Sequence, residues 1–134
     1  KKQLSWLEKK LGKLLEVPAL SFAELIPSVV PKAPGVYLIT AQHNGVEVPY
    51  YVGRTKNLRQ RLYNNHLMGN PSNARLKKHL ISSGECAGLA EAKVFLKSCC
   101  WARWIVQEGF RKRGALEGYA TALLFPKHGI DEEH

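Results

Sequence analysis

The segment YYVGRTKNLRQRLYNNH, residues 50–66, concentrates groups that can bind anions and transfer protons. Its seventeen residues include four Arg or Lys, three Tyr and one His. A guanidinium stays protonated and can hold two phosphate oxygens at once, while imidazole readily exchanges a proton near neutral pH. The segment therefore indicates phosphate binding beside potential acid–base groups.

A second candidate for chemistry is Glu117, in the segment LEGYATALLFP. On a helix, Ala120, Thr121 and Leu124 lie three, four and seven residues later, so the carboxylate borders an apolar stripe. An acid in that place is costly without a partner, which favours a functional interpretation. The alternative is a glutamate at the helix edge that pairs with Arg113, four residues earlier.

The overall charge favours a polyanionic partner. The chain has 134 residues and a formal net charge of +9, from 20 Lys and Arg against 11 Asp and Glu. Nucleic acid is the first expectation and an anionic membrane surface the second. No apolar run approaches the length of a membrane span, so we expect nucleic acid and no membrane partner.

The cysteines indicate a reducing compartment. Cys86, Cys99 and Cys100 are odd in number, and two of them are adjacent, so they form neither a disulfide framework nor a zinc-binding spacing. We expect reduced thiols that pack in the interior of a cytoplasmic protein.

A segment with three prolines, residues 27–34, divides the chain. Before it, LSWLEKKLGKLL has leucines at helical spacing, and SFAEL predicts a short helix with Ser21 and Glu24 as a capping box. We therefore predict an N-terminal helical arm over residues 1–33 and a second unit over residues 34–134.

The second unit reads as a mixture of strands and helices. GVYLIT and VPYYVG predict two strands, and AKVFLKSCC predicts a third. NLRQRLYNNHL and SNARLKKHLISSG predict helices, the second with Ser72 or Asn73 as its cap and Gly84 as its end. RWIVQEGFRKRGALEGYATALLF predicts a last helix, with Trp101 and Trp104 near its start as core residues. The expected fold is α+β, a small three-stranded antiparallel sheet flanked by helices.

The turn between the first two strands decides which tyrosines share a face. If Asn44-Gly45 is a two-residue turn, Tyr37 lies opposite Val52 and Tyr51 is on the other face. If the loop is His43-Asn44-Gly45, with a bulge, Tyr37 lies opposite Tyr51. We favour the second register, because the family resemblance described next needs both hydroxyls at one site. Aromatic packing across the strands is the alternative use of such a pair.

The tripeptides GVY at 35–37 and YVG at 51–53, followed by RTKNLRQRL at the start of a helix, resemble the GIY-YIG nuclease family. The glutamate of LEGYATALLFP also fits its pattern. The resemblance covers residues 34–129. It implies that the tripeptides lie on adjacent strands, with an arginine on the first helix and a metal-binding glutamate on a later one.

The resemblance implies a role for each matching residue. Tyr37 and Tyr51 match the two tyrosines, Arg61 the helix arginine and Glu117 the ligand of Mg²⁺ or Mn²⁺. Gly53 matches the closing glycine, at which the absence of a side chain lets backbone or phosphate come close. The implied activity is hydrolysis of DNA phosphodiester bonds through a single metal ion.

Two positions depart from the family pattern. Asn65 stands where the family has a Tyr or His four residues after the helix arginine, and His66 comes one residue later. On an ideal helix His66 lies about 140° from Arg61, a separation that a one-residue helical bulge would correct. Gly129, preceded by His128, stands where the family often has Asn. These departures favour an alternative function, that of a catalytically weak or inactive adaptor that binds nucleic acid. A third hypothesis is a basic domain for protein–protein interaction.

The remaining basic residues near the predicted site are expected to contact phosphates without reading bases. A solvated basic face is the alternative for any one of them. The predicted nucleic-acid contacts are Arg54, Lys56, Arg59, Arg75, Lys77, Lys78, Arg111, Lys112 and Arg113.

Overall fold

The computed structural model describes residues 2–70 and 72–130, so residues 131–134 of the predicted second unit lie outside the described residues. The chain folds into β-strands, α-helices and one π-helix. Their bounds are α1 Lys2–Glu16, β1 Leu20–Ser21, β2 Gly35–His43, β3 Val46–Thr55, a π-helix Gln60–Leu67, α2 Arg75–Ser82, α3 Leu89–Cys99, β4 Cys100–Val106 and α4 Phe110–Leu124.

The strands form one antiparallel sheet in the order β1-β4-β2-β3. Alternate residues of β2 face two separate cores, as expected for a strand buried on both sides. Val36 and Leu38 pack with Leu14 of α1 and Leu116 of α4. Tyr37 and Ile39 face a larger core that also contains side chains of the π-helix, α2 and α3. The sheet is thus covered on both faces, and β3 forms one of its edges.

The α+β class is confirmed, with four strands where the sequence predicted three. The additional strand is β1, two residues of the arm that pair with Trp101 and Ala102 of β4. The predicted capping box survives only in part: the Ser21 hydroxyl accepts a hydrogen bond from the Ala23 amide, but the segment is a single 3₁₀ turn over Phe22–Glu24.

Two predictions in the C-terminal half are wrong. All but the last residue of AKVFLKSCC belongs to helix α3, on which Ala92 and Leu96 bury one face at helical spacing, and Cys100 is the first residue of β4. The third main strand is β4, and α4 begins only after Gly109, whose φ is +87°. Short apolar runs of this kind fit a strand or a buried helix equally well by pattern. Trp101 and Trp104 are therefore half-buried strand residues.

Neither predicted register of the β2–β3 hairpin is correct. Asn44 and Gly45 have φ of +52° and +79°, which makes the connection a two-residue turn. Beyond Thr40, however, the register shifts by one residue, because Tyr50 is an extra residue of β3. Tyr37 therefore lies opposite Gly53, and Ile39 opposite Tyr51. Tyr37 and Tyr51 do share a face, as expected, but because of the bulge at Tyr50 and not because of a three-residue loop.

Helix α2 is capped differently from the prediction. Its N-cap is Ala74, without a side-chain hydrogen bond, while Gly84 ends it with a φ of +84° as expected. The three cysteines are free thiols, and Cys86 and Cys100 are buried in the larger core. Among the described residues, no helix combines the length and apolarity needed to cross a membrane.

Candidate active site

A cleft of about 500 Å³ opens along the edge strand β3. Its floor is formed by residues 51–54, α4 contributes one wall, and the π-helix and the start of α2 contribute the other. Six side chains that were proposed from the sequence as catalytic or nucleic-acid-binding residues line this cleft. They are Tyr37, Tyr51, Arg54, Arg61, Arg75 and Glu117.

The glycine of the second tripeptide makes room for the phenol of the first. A Cβ at Gly53 would lie 2.3 Å from both Cζ and Oη of Tyr37. The close approach predicted at this glycine is therefore made by the Tyr37 ring itself. The ring of Tyr37 stacks on that of Tyr51 with centroids 6.3 Å apart.

Gly53→Ala is expected to destabilise the fold by about 1–3 kcal/mol, because the new methyl group overlaps the Tyr37 ring. Urea unfolding measures the change. Gly118→Ala is the matched control: a Cβ there meets nothing within 4 Å, and α4 should become more stable by up to about 1 kcal/mol. Equal stability of the two variants would contradict the proposed close approach.

The helix that carries Arg61 and His66 is a π-helix over most of its length. Its C-cap amide at Met68 donates to the Tyr63 carbonyl, five residues back, at 3.0 Å. This bonding adds residues to each turn, so His66, five residues after Arg61, lies much nearer to the face of Arg61 than it would on an α-helix. Of the two arrangements that the sequence left open, the π-helix gives the one in which His66 rather than Asn65 faces the tyrosines.

His66 is fully buried and touches both tyrosines. Its Nε2 lies 2.8 Å from the Tyr37 hydroxyl, and its ring meets those of Tyr37 and Tyr51 edge-on, at 5.4 Å and 5.3 Å between centroids. Its Nδ1 makes no hydrogen bond to any residue in the described part of the chain.

Burial sets the protonation states at this contact. It lowers the pKa of His66 to about 3, with smaller contributions from Arg61, Lys77 and Arg75. Burial first, and then Tyr51, raise the pKa of Tyr37 well above 10, although Arg61 and Arg75 oppose this. At neutral pH both side chains are therefore uncharged.

The low pKa of His66 predicts a loss of stability in mild acid. Unfolded His66 binds a proton below about pH 6.5, whereas folded His66 does so only near pH 3, so acid favours unfolding between these values. The contribution reaches about 1.4 kcal/mol per pH unit well below pH 6.5. Urea unfolding between pH 7.5 and 5 should show a steeper loss for the wild type than for His66→Gln. Parallel curves would contradict the buried, neutral state of His66.

A polar network behind the cleft holds the segment that follows α4. The amides of Lys127 and His128 donate to the carbonyls of Pro49 and Tyr50, at the bulge of β3. His128 Nε2 lies 2.7 Å from Glu85 Oε1, while the other oxygen of Glu85 accepts from the Tyr50 hydroxyl at 2.7 Å.

These contacts also fix the charge of Glu85. Burial alone would raise the pKa of Glu85, but hydrogen bonds from Tyr50, His128 and Lys127 lower it. Held by its hydrogen bonds to Glu85 and to the Tyr50 carbonyl, His128 lines the cleft beside Gly129. Sequence reasoning missed Glu85, because an isolated acid in a loop carries no local signal.

The predicted basic contacts separate into three groups. Arg54 and Arg75 line the cleft together with the proposed catalytic Arg61, and Lys56 lines a pocket beside it. Other members of the set are exposed away from the cleft: Lys78, Arg111 and Lys112.

Three of the predicted contacts have structural bonds instead. Lys77 is 1% exposed, and its ammonium donates to the carbonyls of Leu67 and Gly69. Arg113 is buried and donates to the Gln107 carbonyl, and it also lines the pocket that contains Lys56. Arg59 is half-buried, and its Nε donates to the Val30 carbonyl at 2.8 Å. Lys77 therefore does not belong to an exposed basic surface.

The sequence matches the family model of the GIY-YIG catalytic domain over residues 33–119. The chain belongs to the GIY-YIG family, and the matched segment is a nuclease domain. No curated protein matches the sequence.

Solved structures of one protein are similar to this chain. They are crystal structures of the GIY-YIG N-terminal endonuclease domain of UvrC from Thermotoga maritima. The form bound to magnesium as its catalytic divalent cation is 22% identical, covering 78% of this chain and 91% of that one, with a TM-score of 0.49. An asparagine-to-alanine point mutant of the same domain is 24% identical, covering 78% and 90%, with a TM-score of 0.46.

Proposed function

We propose that this protein is a metal-dependent endonuclease that hydrolyses DNA phosphodiester bonds in the cleft along β3. The observation that carries the proposal is the convergence of two phenols, an imidazole contact, three arginines and one carboxylate on this cleft. The arginines can bind the phosphate of a phosphodiester, and the carboxylate can bind a divalent cation. We retain the division into an arm, residues 1–33, and a nuclease unit, residues 34–134, and the cytoplasmic location as predictions.

The donor chemistry of the cleft fits Mg²⁺ or Mn²⁺. Glu117 is the one carboxylate among the described lining residues, and Mg²⁺ is commonly held by one or two carboxylates with waters and phosphate oxygens. When bound there, the cation would neutralise charge on the phosphate and its leaving oxygen. Glu117 would hold it, half-exposed, on the wall formed by α4.

The three arginines would bind and orient the phosphate. Arg61 and Arg75 reach the cleft from the side of Tyr37, and Arg54 from the end of β3. A guanidinium can donate two hydrogen bonds to one phosphate group and remains charged throughout the reaction. Arg61 would thereby stabilise the charge that builds on the non-bridging oxygens.

Tyr37 and His66 would move the proton of the attacking water. Because Tyr37 is protonated at neutral pH, its oxygen would accept a proton from the water as its own proton passes to His66 Nε2. The negative charge of a bound phosphate favours a protonated His66, which burial disfavours in the free protein. Tyr51, stacked on Tyr37, would position the water or the phosphate.

A plasmid-nicking assay tests the proposal. Wild-type protein should nick supercoiled DNA with Mg²⁺ or Mn²⁺ and be inactive with EDTA. Arg61→Ala should lower the rate by about 10²–10³-fold, as expected for the loss of a donor to developing charge. Lys97→Ala, at an exposed position on α3, is the control and should match the wild type.

The alternative adaptor function has a distinct outcome in the same assay. It rested on Asn65 and Gly129; the contact of His66 with Tyr37, made by the π-helix, supports the nuclease with respect to Asn65. Salt-sensitive DNA binding without nicking would favour the adaptor. Binding with a flat salt response would contradict the basic surface.

A further inference from the structure

A second pocket adjoins the cleft on the far side of two arginines. It has a volume of about 370 Å³ and lies between the start of the π-helix and the start of α4. Arg54 and Arg61 line both cavities. A strand whose phosphate lies in the cleft would therefore place a neighbouring nucleotide at this pocket.

The pocket is positively charged and has polar groups suited to a nucleotide. Arg54, Lys56, Arg61 and Arg113 line it, and no carboxylate does so among the described residues. Side-chain amides of Asn57, Gln60 and Asn65 add hydrogen-bond donors and acceptors. The volume lies at the lower end of the range for small-ligand pockets, about 300–1,000 Å³, which suits a single nucleotide.

An exposed aromatic ring stands at the pocket. Phe110, the first residue of α4, is 67% exposed. The guanidinium of Arg54 lies over its ring, 5.8 Å from the centroid. The path of Arg54 across α4 depends on Gly114, where a Cβ would lie 2.3 Å from Arg54 Nη1. Such a ring beside a cationic groove is typical of proteins that stack unpaired bases.

We propose that this pocket binds an unpaired nucleotide next to the cleaved phosphate, with its base stacked on Phe110 and its phosphate held by Arg54 and Lys56. A base inside a duplex is covered on both faces by its neighbours and cannot offer a face to Phe110. The substrate class is therefore DNA with an unpaired segment at the cleavage point. This inference rests on the proposed function for the cleft.

DNA binding in EDTA tests the pocket independently of cleavage. Fluorescence anisotropy would compare a forked duplex that has an unpaired arm with a blunt duplex of equal length. Wild-type protein should prefer the fork, and Phe110→Leu should weaken fork binding by about 5–150-fold, the range for loss of one base stack. Binding to the blunt duplex should change less than about twofold, because stacking contributes nothing to it.

Two further variants make the result specific to the aromatic ring. Phe110→Tyr keeps the ring and should retain the preference for the fork. Phe125→Leu changes a phenylalanine that is 74% exposed at the other end of α4, and it should behave as wild type. Equal binding of fork and duplex by the wild type, or equal losses on both DNAs in Phe110→Leu, would overturn the inference. Failure of nicking with a selective loss in Phe110→Leu would instead overturn only the proposed hydrolysis.

Discussion

Glu117→Gln is expected to lower the rate of plasmid nicking by at least about 10³-fold. The variant keeps the size of the side chain but removes the charge that would hold the divalent cation. Metal ions supply several kcal/mol of charge stabilisation to such reactions, and each 1.36 kcal/mol corresponds to a factor of ten. Rates in saturating Mg²⁺ and Mn²⁺ measure the effect.

The loss of activity should not be accompanied by a loss of DNA binding. Glu117 lies among arginines in the cleft, so its neutralisation should leave affinity in EDTA equal or higher. Glu108→Gln removes the same charge at an exposed position just before α4 and should nick at the wild-type rate. Wild-type activity of Glu117→Gln would exclude this carboxylate as the metal ligand.

Tyr37→Phe is expected to lower the nicking rate by about 10²–10⁴-fold, the usual contribution of a group that transfers a proton in the transition state. The substitution removes a single oxygen, which lies 2.8 Å from His66 Nε2. It should also cost about 1 kcal/mol of stability through the lost hydrogen bond. Single-turnover nicking and urea unfolding measure the two effects separately.

Tyr50→Phe is the matched control for this prediction. Tyr50 is also a buried phenol hydrogen-bonded to a histidine, His43 at 2.7 Å, but it does not line the cleft. We expect a loss of stability at least as large, because the Tyr50 hydroxyl also donates to Glu85, with a rate within about tenfold of the wild type. If both variants lost activity equally, the effect of Tyr37 would be one of stability and not of proton transfer.

The sequence was most informative where the local pattern and the function agree. The two strands with their tripeptides, Arg61 on the following helix and Glu117 on the last helix all lie in the elements predicted for them, apart from the boundaries of the last. The hydrophobic pattern predicted secondary structure least well in the C-terminal half, where the sequence of α3 was interpreted as a strand. Local preferences there differ by only a few tenths of a kcal/mol per residue, whereas burial of one large apolar side chain contributes about 1.5–3 kcal/mol.

The amino-acid sequence by itself determined which groups are present for chemistry and which family the chain belongs to. Only the tertiary structure decided how the side chains of the candidate site are arranged relative to one another. The bulge at Tyr50 places Tyr37 and Tyr51 on one face, and the π-helix brings His66 rather than Asn65 to Tyr37. Both are departures from regular backbone geometry. They cannot be predicted from local propensity, because the contacts that stabilise them join residues distant in the chain.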